Sequence, residues 1–367
     1  MREELRMEDR IYNFAAGPSM LADEVLLELR QELFNYHNTG MSVMEMSHRS
    51  KMYLEIFEET KDRLRRLMNI PDDYAIFFMH GGATGQFAAI PLNLLGDREA
   101  DYIITGNFSG KAQKEAMKYG EANIVYDGKD IGYTGIPDES ELTFNKDAAY
   151  VHLCANNTVY GTEWKQFPDT SDVPLIVDMS SDILSRQIDV SRFGMIYAGA
   201  QKNMGIAGIC VIIIRKDLIR KPRPETPDIL NYELMLKNDS MYNTPATYPI
   251  YVLNKVLKWL EELGGIAKIE QRNILKAKLL YDYLDAQDFY KPFARSDSRS
   301  LMNVTFRTAD PDLDDQFVKK AAMEGLVNLK GHRAVGGIRA SIYNAMPVEG
   351  VEKLVDFMKG FSKEVDR

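Results

Sequence analysis

The sequence predicts an α/β protein with a mostly parallel sheet in a large domain, followed by a smaller α+β C-terminal domain. Three observations carry this expectation. Between Tyr74 and Arg215, short apolar runs alternate with helix-length segments, as strands covered on both faces do. From Pro249 the pattern changes to long helical spacings, then two strand-like runs and a last helix. No Pro/Ser-rich linker, charge block, low-complexity tract or fixed-period repeat divides the 367 residues. A chain of this length suits a large domain with a smaller one appended. The boundaries expected are 1–264 and 265–367, with the N-terminal segment a candidate to pack on the small domain.

In chain order, strands are expected at 75–79, 102–105, 149–154, 175–178, 195–198 and 209–215, because each run is nearly continuous in apolar residues. Helical stretches at 86–95 and 111–119 lie between them. Ile250, Leu253, Val256, Leu257 and Leu260 recur at helical spacing until Gly264 and Gly265 stop the helix. A second helix carries Ile274, Leu275, Lys278 and Tyr281. Strands at 301–307 and 337–343 and a helix at 348–361 complete the chain.

Composition excludes several functions. Lys and Arg total 45 against 54 Asp and Glu, a net charge of −9, so the chain is a poor general binder of polyanions, nucleic acid included. An anionic ligand would need a local concentration of Arg and His. The two cysteines, Cys154 and Cys210, sit in strand-like runs and cannot form a disulfide framework or an all-cysteine zinc site, which points to a reducing cytoplasm. The charged start has no apolar signal-peptide core, and the longest apolar run, 206–214, is too short to span a bilayer. A cytoplasmic protein without a membrane partner is expected. The five histidines show no metal-ligand spacing, so no metal is expected. G-x-G-x-x-G, Walker and G-x-S-x-G patterns are missing, which weakens dinucleotide, nucleotide and α/β-hydrolase readings.

Five segments carry chemistry. His80-Gly-Gly-Ala-Thr-Gly-Gln86 follows a strand and opens a helix, where backbone N–H groups can receive an anion; the alternative is a tight turn without a ligand. Asp178 ends a strand, at the sheet edge where open α/β folds bind ligands, and could hold a cationic nitrogen; the alternative is a helix cap. Lys202 follows a strand among Gly199, Ala200 and Gly205. Burial there would lower its pKa and make it a usable nucleophile, whereas most loop lysines are solvated. Ser47-His48-Arg49 and the stretch from Lys330 to Arg339, with His332 and Arg333, pair His with Arg, which suits carboxylate or phosphate oxygens; the alternative is weak surface ion pairs. In 335–343, Ile338, Ala340 and Ile342 share one face and Arg339, Ser341 and Tyr343 the other. A strand-terminal Asp, a buried Lys able to form a Schiff base and a Gly-rich helix start together suit pyridoxal phosphate.

With these segments in view, the chain resembles the phosphoserine aminotransferases, fold-type I pyridoxal-phosphate enzymes of the class V aminotransferase group. The resemblance runs from Asn13-Phe-Ala-Ala-Gly-Pro18 to the last helix. It rests on Met41-Ser-Val-Met-Glu-Met-Ser-His-Arg49, Gly85-Gln-Phe-Ala-Ala-Ile-Pro-Leu-Asn93, Ile196-Tyr-Ala-Gly-Ala-Gln-Lys-Asn203, Ser240-Met-Tyr-Asn-Thr-Pro245 and the long run Lys330 to Met346. It implies a reversible transamination between glutamate and 3-phosphohydroxypyruvate in serine biosynthesis, with the phosphorylated four-carbon homologue of the pyridoxine route as a further substrate.

The resemblance also implies roles. Lys202 holds the cofactor covalently, and Asp178 pairs with its pyridinium nitrogen. Thr158 lies near its O3′ and Phe108 stacks on its ring. Ala83, Thr84 and Gln201, with Asn243 and Thr244 of a neighbouring subunit, receive its phosphate. Arg339 takes the substrate α-carboxylate. His332 and Arg333, with His48 and Arg49 of the neighbour, take the substrate phosphate, so a homodimer is implied. Four departures stand out: Thr84 where many bacterial members have Arg, Phe108 where Trp is usual, and Asn157 and Tyr160 beside Thr158. The rival readings are an alanine–glyoxylate-type aminotransferase, a cysteine desulfurase, a non-catalytic anion-binding protein on the same fold and, weakest, a nicotinamide dehydrogenase.

Overall fold

The computed structural model describes residues 10–365. The first elements are strand β1 (Tyr12–Asn13) and helices α1 (Asp23–Glu32) and α2 (Lys51–Met68). In α2, Tyr53, Ile56, Phe57, Thr60, Leu64 and Met68 recur at three- and four-residue steps and are buried as one face. The Ser50 hydroxyl caps its start by accepting from the Tyr53 N–H, and Asn69 ends it in the left-handed region. The next elements are β2 (Tyr74–Met79), α3 (Gly82–Ile90), β3 (Ala100–Ile104), α4 (Asn107–Ala116), β4 (Ala122–Asp127) and β5 (Val151–Cys154). A small hairpin, β6 (Asn156–Asn157) and β7 (Thr162–Glu163), leads to β8 (Leu175–Asp178), β9 (Met195–Gly199) and β10 (Cys210–Arg215).

Seven of these strands form one sheet in the order β2-β10-β9-β8-β5-β3-β4. All neighbours are parallel except β10, which runs antiparallel to both β2 and β9. Every residue of β2, β3, β5, β8 and β9 is buried, which is why their sequences are apolar without alternation. The edge strand β4 is partly exposed along its length and so gives no apolar run. One face of the sheet packs with α1, α2 and helix α6 (Thr247–Glu262), which follows the short α5 (Tyr232–Lys237); the other packs with α3, α4 and α5. In α6 the whole stretch from Ile250 to Leu257 is buried, and Gly264 and Gly265 end it at φ +97° and +79°.

The C-terminal elements are α7 (Ile266–Asp285), β11 (Lys291–Pro292), β12 (Asn303–Arg307), α8 (Pro311–Met323), β13 (Leu326–Val327), β14 (Ile338–Ser341) and α9 (Val348–Val365). Strands β11, β12 and β14 form an antiparallel sheet covering a third core rich in aromatic side chains, Tyr290, Phe306, Phe317 and Phe361 among them. Ile338, Ala340 and Ile342 point into that core. β1 pairs in parallel with β13, so Tyr12 and Asn13 lie against these elements. No described helix is long and apolar enough to cross a membrane, and no described group of three His, Cys, Asp or Glu is placed to hold a metal ion.

Candidate active site

The carboxyl ends of the parallel strands open onto a cavity of 490 Å³. Asp178 is the last residue of β8 and 7% exposed. Its Oδ1 accepts from the Ser180 N–H at 2.9 Å and the Ser180 hydroxyl at 2.6 Å, which closes a local turn rather than capping an α-helix. Burial raises its pKa, while the Ser180 hydrogen bonds and the charge of Lys202 pull it down.

Lys202 lies three residues past the end of β9 and is 9% exposed, so it is not a solvated loop lysine. Its Nζ donates to Thr158 Oγ1 at 2.7 Å and stands 5.8 Å from the centre of the Phe108 ring. Burial lowers its pKa to about 8, and Asp178 opposes the shift. The chain start straps this turn: Ser19 donates through its N–H to the Gln201 carbonyl at 2.9 Å and through its hydroxyl to the Lys202 carbonyl at 2.6 Å. Gly17, at φ +138°, passes so near that a Cβ there would lie 3.2 Å from Lys202 Cγ.

Helix α3 starts at the cavity wall. Gly81 and Gly82 take φ +90° and +59°, no side chain caps the helix, and Gly81, Gly82, Ala83 and Thr84 line the cavity. Uncapped N–H groups at the positive end of a nine-residue helix form an anion seat. Phe108, in the first turn of α4, gives an apolar wall. Asn157, one residue before Thr158, donates through its Nδ2 to Thr105 Oγ1 at 3.1 Å and Thr162 Oγ1 at 3.0 Å. A buried amine, a buried carboxylate, an aromatic wall and a helix start in one cavity fit pyridoxal phosphate.

Arg339 lines the same cavity from β14, and its Nη1 donates to the Thr158 carbonyl at 3.4 Å. His332 lines it too. Its Nδ1 accepts from the Ala334 N–H at 3.2 Å. Burial, with the charges of Arg339, Arg333 and Lys111, lowers its pKa. An arriving dianion would reverse the charge effect.

The cavity thus brings together Ala83, Thr84, Phe108, Thr158, Asp178, Gln201, Lys202, His332 and Arg339. It does not bring in Asn243, Thr244, His48, Arg49 or Arg333. Asn243, Thr244, Arg49 and Arg333 are exposed and His48 is half-buried. The Thr244 carbonyl lies 3.1 Å from His80 Nε2, beside the α3 turn. Sequence reasoning missed Lys111, whose Nζ stands 5.5 Å from the Phe108 ring centre; its signal was a cation one helical turn after an aromatic. It also missed Asn156 and Ser181, which line the cavity from β6 and from the turn after Asp178.

Known proteins are similar to this chain over nearly its whole length. The family model described as aminotransferase class-V matches residues 11–354. Phosphoserine aminotransferase of Nitrosomonas europaea is 50% identical over 363 residues, covering 96% of this chain and 99% of that protein. Its counterpart in Pseudomonas aeruginosa is 52% identical over 359 residues, with 98% and 99% covered. The solved phosphoserine aminotransferase from Bacillus circulans subsp. alkalophilus superposes with a TM-score of 0.95 at 47% identity, covering 97% of this chain and 99% of that one. The pyridoxal-phosphate-bound phosphoserine aminotransferase from Trichomonas vaginalis gives 0.91 at 41% identity, with 95% and 100% covered. An alanine–glyoxylate aminotransferase from Nostoc shares the fold at 16% identity and a TM-score of 0.75, covering 98% of this chain and 97% of that one.

Proposed function

The chain belongs to the class-V aminotransferase family and within it is a phosphoserine aminotransferase dependent on pyridoxal phosphate, and from that premise we propose how its residues divide the work. Glutamate gives up its amino group and leaves as 2-oxoglutarate; 3-phosphohydroxypyruvate then takes the amino group and leaves as O-phospho-L-serine. The phosphorylated four-carbon homologue is a second substrate. The observation that carries the reading is the buried pair of Lys202 and Asp178 in one cavity with the uncapped start of α3.

When bound, pyridoxal phosphate supplies an electron sink for the pair left at the substrate Cα. Asp178, held by Ser180, is the group that would pair with the pyridinium nitrogen, and its charge would favour the protonated form. The Lys202 amine attaches the cofactor in the resting enzyme. When free, that amine would be the base that moves the proton at the substrate Cα. Its pKa of about 8 suits both directions, and Thr158 Oγ1 holds the amine in reach. Phe108, on the cavity wall, would stack on the ring. Ala83 and Thr84, at the helix start, with Gln201, hold the cofactor phosphate, joined by Asn243 and Thr244 of a second copy. Thr84 brings a hydroxyl and no charge, so the start of α3 contributes its dipole and N–H groups without a cation.

Arg339 receives the α-carboxylate that both substrates carry. His332 and Arg333, with His48 and Arg49 of a second copy, receive the substrate phosphate. The enzyme therefore works as a homodimer, in the cytoplasm. The test compares kcat/KM for 3-phosphohydroxypyruvate and hydroxypyruvate. Two or more charge-assisted hydrogen bonds, each worth about 1.5–3 kcal/mol, predict a preference on the order of a hundredfold or more. Equal values would favour an alanine–glyoxylate-type substrate, and a fully active monomer in sedimentation would remove the shared site.

A further inference from the structure

Three pieces of the chain meet at the substrate end of the cavity. They are the β6–β7 hairpin with Asn156 and Thr158, strand β14 with Arg339, and the chain start that crosses Lys202. One side chain reaches all three, two of them directly. Asn303, the first residue of β12, is 0% exposed. Its Oδ1 accepts from Asn156 Nδ2 at 2.7 Å, and Asn156 Nδ2 also donates to Ser181 Oγ, at 2.8 Å, three residues past Asp178. Its Nδ2 donates to Ser341 Oγ at 2.9 Å and to Tyr343 Oη at 3.2 Å. Ser341 is the register partner of Asn303 across the strands and lies two residues from Arg339. Tyr343 Oη donates onward to the Ala16 carbonyl at 2.7 Å, beside Gly17. Asn156 is fixed from its other end, because Ser300 Oγ donates to its Oδ1 at 2.5 Å.

The chemistry of this knot is specific to an amide. The Tyr343 hydroxyl proton is committed to Ala16, so Tyr343 can only accept from the residue at 303. Asn156 Nδ2 can only donate to it. Position 303 must therefore offer a donor on one side and an acceptor on the other, without solvent to replace either. A carboxylate of the same outline would set an acceptor against the Tyr343 oxygen. An alkyl group would take one hydrogen-bond partner from each of Asn156 Nδ2, Ser341 Oγ and Tyr343 Oη.

We infer that Asn303 is a positioning residue for the substrate: its amide sets the separation between Arg339 and Lys202, so that a carboxylate on Arg339 presents Cα to the Lys202 amine. The inference rests on the proposed role of Arg339 and adds to it what holds Arg339 in place. Misplacement of about 1 Å between groups that must act together costs up to a hundredfold in rate.

The test is steady-state kinetics with glutamate and 3-phosphohydroxypyruvate on the holoenzymes of Asn303→Ala, Asn303→Asp and Arg339→Lys, and on Asn303→Ala in the Arg339→Lys background. Cofactor content is read by absorbance. Both Asn303 variants should lose about ten- to a hundredfold in kcat/KM for glutamate while holding a full complement of cofactor. In the Arg339→Lys background the same Asn303→Ala change should cost less than about threefold, because the group it positions is already altered. A role confined to folding predicts equal factors in both backgrounds. If Asn303→Ala does not fold, the isosteric Asn303→Asp decides by the same criterion against wild type. Wild-type kcat/KM in both Asn303 variants, or equal losses in both backgrounds, overturns the inference alone. An Arg339→Lys variant with wild-type kinetics overturns the Arg339 assignment and the inference with it.

Discussion

The Lys202 amine offers the sharpest quantitative handle on the site. At an ordinary pKa of about 10.4, roughly one lysine in two to three thousand is neutral at pH 7. Burial sets Lys202 at about 8, so about a tenth is neutral at that pH. The gain in reactive amine is on the order of two-hundredfold before any cofactor arrives. The perturbation is pH itself, applied to the cofactor-free chain and to an Asp178→Asn variant. The assay is competitive labelling with a trace of acetic anhydride, followed by mass spectrometry of the peptide carrying Lys202. Wild-type labelling should climb about tenfold per unit below pH 8 and level off above pH 9. In Asp178→Asn the opposing carboxylate charge is gone, so the levelling should move to lower pH. A Lys202 signal that keeps climbing to pH 10, in step with surface lysines, would refute the argument from burial. An alkaline shift in Asp178→Asn would refute the coupling of the two groups.

Other outcomes follow from buried polar groups elsewhere. Lys276 is 0% exposed and donates to the carbonyls of Ile342, Tyr343 and Met346 at 2.8, 2.6 and 3.1 Å, matching the three donors of an ammonium. Tyr343 keeps a second partner in the Met346 N–H, so Lys276→Met strands chiefly the other two carbonyls. At about 1–3 kcal/mol each, less the relief of no longer burying a charge, urea unfolding should show a loss of about 2–4 kcal/mol; a change below about 0.5 kcal/mol would contradict this. His152 is buried against Tyr197 with its Nδ1 unpartnered, and burial lowers its pKa to about 3. The unfolded chain, with an ordinary value near 6.5, binds one more proton between those limits, so stability is lost as pH falls below about 6.5. Relative to His152→Phe, the wild type should lose about 1.4 kcal/mol per unit from pH 6 to 4; parallel pH profiles would contradict it. The neutral His332 should gain a proton when a substrate phosphate arrives. Calorimetry of O-phospho-L-serine binding near pH 7 in buffers of different ionisation heat should therefore show net proton uptake, reduced in His332→Gln.

The large sheet was legible because strands buried on both faces must be apolar throughout, and that needs no knowledge of their neighbours. Asp178 and Lys202 stood out for a related reason: each is a charged residue just beyond such a run, where an open sheet offers a ligand edge. The edge strand β4 was illegible because its exposure removes the apolar signal. The reversed direction of β10 leaves no mark on composition, since a buried antiparallel strand reads like a parallel one. Helix 86–95 was expected as one piece. The structure starts α3 earlier, at Gly82, and opens the last turn at Pro91, because proline cannot supply the N–H that would continue the ladder. Asn303 lay inside a strand correctly expected at 301–307, yet its role depends on Asn156, Ser341 and Tyr343, which are remote in sequence. Asn243 and Thr244, and the placing of His48 and Arg49 on a second copy, came from resemblance alone, and one copy of the chain does not gather these four at its own cavity.

The most direct test of the central claim is the absorbance spectrum of the purified holoenzyme, recorded alone, after L-glutamate, and after subsequent 3-phosphohydroxypyruvate. The account predicts a visible band that falls with glutamate and returns with the phosphorylated keto acid, with Lys202→Ala unable to complete the cycle. A band that responds to glutamate but is not restored by 3-phosphohydroxypyruvate, and is restored by pyruvate or glyoxylate instead, would contradict it.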